Sequence, residues 1–206
     1  MNLKLLLASW WIPEYLLKKE LNNLASLTIN ELDNILKSHD PDSLKNITPL
    51  SLPLKGNLSH IRLKMIQGHE SRVQALENLL GRERSIDLAR PAMFKVGYRL
   101  GLEFKKKLNI KDDTKEIMIA AHILYKVLGI EFEFQDMEDD PHIIISHCEL
   151  ASYYSPLSCQ ILSGADEGVL RGLNPAFDMK FIERITEGAS CCKARLKIKN
   201  YSETES

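Results

Sequence analysis

The chain lacks the motifs that most directly announce a function. Its 206 residues contain no glycine-rich phosphate loop, no GxSxG, no HExxH and no CxxC. Nucleotide-binding, hydrolase-elbow and zincin readings are therefore without support. Long apolar runs are missing too: stretches such as IMIAAHILY are too short to span a bilayer. Neither sign of charge is in excess, with 27 Lys and Arg against 28 Asp and Glu, so the basic footprint of a nucleic-acid binder is absent. The N-terminal part holds no basic recognition helix. Cysteine is scarce: Cys148, Cys159, Cys191 and Cys192 are the four, all in the last third.

What is present is an ordinary globular composition, 44% apolar and 27% charged. The opening MNLKLLLASWW has a short apolar run like that of a signal peptide but no small-residue cleavage site. It reads as a packed N-terminal segment of a cytoplasmic protein. In that compartment the cysteines are expected as free thiols. Cys191 and Cys192 would point to opposite faces of a strand, so one of them can join an inward cluster.

Residues 13–38 read as two helices, the second opened by Thr28 and Glu31 at capping-box spacing. A polar, proline-bearing linker over residues 39–56 separates this helical extension (residues 1–56) from a module at 57–200, with a disordered tail at 201–206. In the module, LSHIRLKM is a short strand or a helix start, and a following helix ends at Gly81. Pro91 stands where the next helix can begin. That helix carries Gly97 and Gly101 on one face, leaving a groove for another helix or for a ligand. A further helix, capped by Thr114 and ended by Gly129, contains His122, which is read as a core residue or a ligand. IEFEFQDM and HIIISH form a hairpin through EDDP; a Ser- and Tyr-rich loop, a helix from Leu157 to Leu173 and a second hairpin follow. The order predicts an α+β fold: a four- to five-stranded antiparallel sheet packed against helices, with an N-terminal helical extension.

Cys192 falls on the inward face of the last strand, Glu183 on the strand before it, Cys159 in the first turn of the intervening helix and Cys148 at the end of the first hairpin. Thiolates with a carboxylate are donors that zinc takes; buried, purely apolar thiols are the alternative. Asp166 is either a general base or a solvated helix carboxylate.

The run CELASYYSPLSCQILSGADEGVLRGLNPAFDMKFIERITEGASCCKARLKI resembles the C-terminal part of the 4-vinyl reductase, or hydrocarbon-binding, domain and of the related L-2-amino-thiazoline-4-carboxylic acid hydrolase family. Cys148, Cys159, Asp166, Gly188 and Cys192 fall on the pattern of the hydrolase-like branch, and MFKVGYRLGLEFKKKL and LGIEFEF resemble its first half, so the likeness runs over roughly residues 58–200. It implies the α+β fold shared with TRAPP vesicle-tethering subunits, commonly dimeric, with an apolar pocket between helices and sheet. It also implies a zinc site like that of phenol-responsive activators, three cysteines and a glutamate. Cys159, Glu183 and Cys192 match three of those positions; the fourth is Thr186, so Cys148, Cys191, His147 or a water would complete the set.

The expected function is the binding or sensing of an apolar or aromatic small molecule by a homodimer, with zinc as the cofactor and neither nucleic acid nor membrane as partner. The ligand-lining candidates are Tyr98, Gly101, His122, Tyr153 and Tyr154; the metal candidates are Cys148, Cys159, Glu183 and Cys192. The alternatives are a metal-assisted hydrolase that opens a small heterocycle, with Asp166 as its base, and a dimeric tethering scaffold.

Overall fold

A computed structural model describes residue 5 and residues 10–135 and 141–198. The expected EDDP turn and the C-terminal tail lie wholly or mostly outside them. Helix α1 (Glu14–His39) is a single helix of 26 residues. Leu17, Leu21, Ala25, Ile29, Leu32 and Leu36 recur on its buried side, the spacing of a core-facing stripe. The expected break at Thr28 does not occur. Its hydroxyl donates back to the Leu24 carbonyl at 2.8 Å, the in-helix alternative to capping.

A linker containing a short 3-10 turn (Ser43–Asn46) leads to α2 (Leu58–Leu80). LSHIRLKM is therefore helical, started by Asn57, whose side chain accepts from the His60 amide. Helix α3 (Arg82–Leu108) follows after Gly81, so Pro91 sits inside it instead of opening it. A proline there deprives the carbonyl four residues earlier of its donor. Asp87 and Pro91 both face solvent, where water can serve instead. Helix α4 (Thr114–Leu128) has Asp113 at its N-cap position, not Thr114. Gly129 ends it with φ of 70°, a left-handed turn suited to glycine.

Strands β1 (Ile130–Gln135) and β2 (His142–Cys148), helix α5 (Pro156–Leu173), and strands β3 (Phe177–Glu183) and β4 (Cys192–Ile198) complete the described chain. The four strands form one antiparallel sheet in the order β1-β2-β4-β3, which establishes the α+β class. On β4, Cys192, Ala194 and Leu196 are buried while Arg195 and Lys197 are exposed.

The tightest packing joins α3 to α5. A Cβ on Gly97 would lie 1.9 Å from the Ala165 carbonyl oxygen, and one on Gly168 would lie 2.1 Å from that of Phe94. Gly101, Gly164 and Gly172 meet opposing backbone in the same way. The two helices thus approach along reciprocal glycines, and the groove read at Gly97 and Gly101 is filled by α5.

Helix α1 shares the same hydrophobic core as the sheet and the other helices. The core runs across the boundary expected near residue 56. Asn22 of α1 also clasps the linker, its side chain bonding both the amide and the carbonyl of Leu54. Among the described residues no helix is long and apolar enough to cross a membrane.

Candidate functional site

The inner face of the sheet and the five helices α1–α5 surround a cavity of about 160 Å³. The sheet contributes Ile143, Ile145, Met179, Phe181 and Cys192; α5 contributes Leu162, Asp166 and Val169; α4 contributes Ala121, Leu124 and Tyr125. Helix α1 closes one side with Leu24 and Thr28, and the mouth is flanked by Glu20, Asn23, Glu103 and Lys107. Lys107 reaches Glu20 at 3.5 Å across that mouth. The lining is predominantly apolar, and such a space expels water and favours an apolar guest.

Asp166 brings a carboxyl into this lining. Its neighbour Glu167 turns the other way and binds Arg90 of α3 at 2.6 Å, because adjacent helical residues point about 100° apart. Among the described residues, no hydrogen bond or ion pair engages the Asp166 carboxylate. Burial pushes its pKa up to about 7, the negative charge of Glu167 adding and Arg90 opposing. It is half-buried in the cavity lining, with no acid or base hydrogen-bonded to it among the described residues.

The thiols of Cys148, Cys159 and Cys192 line the same cavity. Burial raises all three, Cys148 to about 12, so at neutral pH they are protonated. The Ile185 amide lies 3.3 Å from the Cys192 sulfur. The Thr186 hydroxyl lies beside Cys159 and favours its thiolate, although the geometry falls short of a full hydrogen bond.

The fourth expected metal donor is elsewhere. The pairing Phe177↔Ile198 through Phe181↔Ala194 would carry Glu183 opposite Cys192, but an irregularity after Phe181 moves it opposite Lys193. A one-residue slip reverses faces, and Glu183 is exposed. Among the described residues no three His, Cys, Asp or Glu side chains gather as a metal site. With Glu183 turned outward and the Arg184 guanidinium close enough to act on Cys159 and Cys192, the expected four donors are not gathered into one set among the described residues.

Of the expected ligand-lining residues, Tyr154 is buried and lines the cavity. The others do not. Gly101 abuts the Val169 carbonyl, and the Tyr98 backbone abuts Gly168 and Gly172. His122 is exposed and stacks on Phe132 at 4.0 Å. Tyr153 is 57% exposed. Sequence reading missed Tyr125 and His69. Tyr125 falls one helical turn after Ala121 on α4, and His69 continues the buried stripe of Ile61 and Met65 on α2, so helical spacing held the signal for both.

The trafficking protein particle complex subunit 3 from Naegleria fowleri, in a structure covalently bound to palmitic acid, superposes with a TM-score of 0.52 at 17% identity, over 68% of this chain and 95% of that one. The phenol-responsive sensory domain of the transcription activator PoxR, with phenol, gives 0.46 at 13% identity over 77% and 89%. An H-NOX protein from S. oneidensis gives 0.46 at 13% over 84% and 98%. No curated protein matches the chain in sequence. The first superposition identifies the class, a TRAPP-like α+β fold. Within it, the sequence profile of the L-2-amino-thiazoline-4-carboxylic acid hydrolase family matches residues 63–196, and the chain belongs to that family. None of these matches supports the 4-vinyl reductase part of the resemblance.

Proposed function

We propose that the protein binds an apolar small molecule in the cavity between α1, α4, α5 and the sheet. One observation carries the reading: about 160 Å³ of predominantly apolar space, close to the roughly 150 Å³ at which an apolar cavity stays dry and takes up benzene. Palmitic acid belongs to the trafficking subunit and phenol to the sensory domain, and neither sets the ligand of this chain. The test is titration with toluene and benzyl alcohol, followed by calorimetry and thermal unfolding. Saturable binding that Ala121→Phe abolishes, by filling the cavity from α4, supports the reading; no saturable binding by either compound overturns it.

A second reading is ring-opening hydrolysis, favoured by family membership together with a cavity carboxyl that titrates near neutrality. Asp166 would then accept a proton from the attacking water. Incubation with L-2-amino-thiazoline-4-carboxylate tests this. Turnover by the wild type that is lost in Asp166→Asn supports it, and its absence from the purified wild type rejects it.

A further inference from the structure

An apolar cavity could be lined by apolar side chains throughout, yet this one contains Asp166. Arg90, the cation that acts on it, is committed to Glu167, to the Gln160 carbonyl and to Ser163. Arg184 bonds Ser163 and Glu187. Neither arginine lines the cavity. Lys107 does, but at the exposed mouth and paired to Glu20. His69 is held neutral by burial. A carboxylate in low dielectric without a partner is costly, and no described side chain supplies one.

The Tyr125 hydroxyl also faces this space without a hydrogen-bond partner among the described residues. It lies within electrostatic reach of Asp166, whose charge raises its pKa. At the mouth, Lys107 offsets Glu20 and leaves the carboxylate of Glu103.

We infer that the occupant is an apolar molecule carrying a protonated nitrogen, its ammonium or amidinium group bonded to the Asp166 carboxylate, with the Tyr125 hydroxyl available as a second polar contact. This rests on the proposed binding function and specifies the ligand class. Acids of the same size are disfavoured by like charge, and neutral compounds leave the carboxylate unpaired.

The experiment compares benzylamine, benzyl alcohol and benzoate by calorimetry at about pH 8, where amines of this kind are largely protonated and Asp166 is ionised. The wild type is expected to bind benzylamine at least about tenfold more tightly than benzyl alcohol, as a charge-assisted hydrogen bond provides, and benzoate more weakly than either. Asp166→Asn should keep benzyl alcohol binding and lose the preference. A second readout in the wild type covers the case in which the variant misfolds: benzylamine should shift the Asp166 carboxyl carbon NMR resonance more than benzyl alcohol does. Equal binding of amine and alcohol, a preference that survives in Asp166→Asn, or an unmoved carboxyl resonance overturns the inference while leaving apolar binding intact. Failure of all three compounds and of toluene removes the underlying function instead.

Discussion

The Tyr154 hydroxyl lies 2.6 Å from Nδ1 of His69. On the other side of the ring, Nε2 lies 2.7 Å from the Thr28 hydroxyl. Because Thr28 spends its proton on the Leu24 carbonyl, it must accept from Nε2–H, which leaves Nδ1 to accept from Tyr154. This chain of bonds ties α1, which precedes the family-matched region, to the wall of the cavity. Tyr154→Phe is expected to destabilise the fold by about 1–3 kcal/mol through the stranded Nδ1, read by urea unfolding.

The same histidine sets a pH dependence. Burial holds its folded pKa near 3 against 6.5 unfolded, with Arg72 adding to the depression. Between those values the unfolded state binds the extra proton, so this contribution to stability is lost as pH falls from 6.5 toward 3. The slope is up to about 1.4 kcal/mol per pH unit. Urea unfolding of the wild type and His69→Gln across this range should show the wild type falling more steeply.

Asp166 acts in the opposite sense. Its folded pKa of about 7 lies above the unfolded 3.8, so the folded state binds the extra proton in that window. Stability from this group falls as pH rises through it, and the penalty is complete above 7. Asp166→Asn should therefore be more stable than the wild type at about pH 8, by as much as a few kcal/mol, with the difference shrinking as pH falls toward 4. An equal difference at both ends of the range would contradict burial of the carboxylate as the cause.

Gly97→Ala and Gly168→Ala each place a methyl group into opposing backbone. Backbone cannot swing aside as a side chain can, so α3 and α5 must separate. Each variant is expected to lose at least about 1–3 kcal/mol, measured by chemical denaturation.

Arg72 of α2 is buried and forks onto Asp33 of α1 at 2.6 and 3.3 Å. Asp33→Ala would strand the guanidinium and should cost about 3–5 kcal/mol. Replacing both residues by Leu and Met should recover much of that loss in a thermal melt.

With Glu183 turned outward and no three metal-ligating side chains gathered among the described residues, chelator treatment should leave the melting temperature unchanged. At neutral pH, alkylation of Cys148 and Cys159 should be slower than that of a small free thiol, and slower again with toluene in the cavity.

The helices and strands were largely legible because each buries one face. Leu17 through Leu36 and Cys192 through Leu196 recur at the periods of a helix and a strand. Thr28 and Pro91 misled for a local reason: each has the chemistry of a helix start, but the choice between start and interior depends on what packs around it. Thr28 is held in mid-helix by His69, 41 residues away. Asp166 was legible as an acidic residue on α5, but its environment was not, since a single turn of register separates water from the cavity.

By itself the sequence determined the α+β class and the buried stripe of each element, because amphipathic period is a local property of the chain. Only the tertiary structure decided the site. The irregularity after Phe181 turned Glu183 away from Cys192, and the approach of α3 to α5 consumed Gly101. The assembly of α1, α4, α5 and the sheet enclosed Asp166 beside Tyr125. Each outcome depends on contacts between segments distant in the chain, and one residue of strand register is enough to reverse which face a side chain occupies.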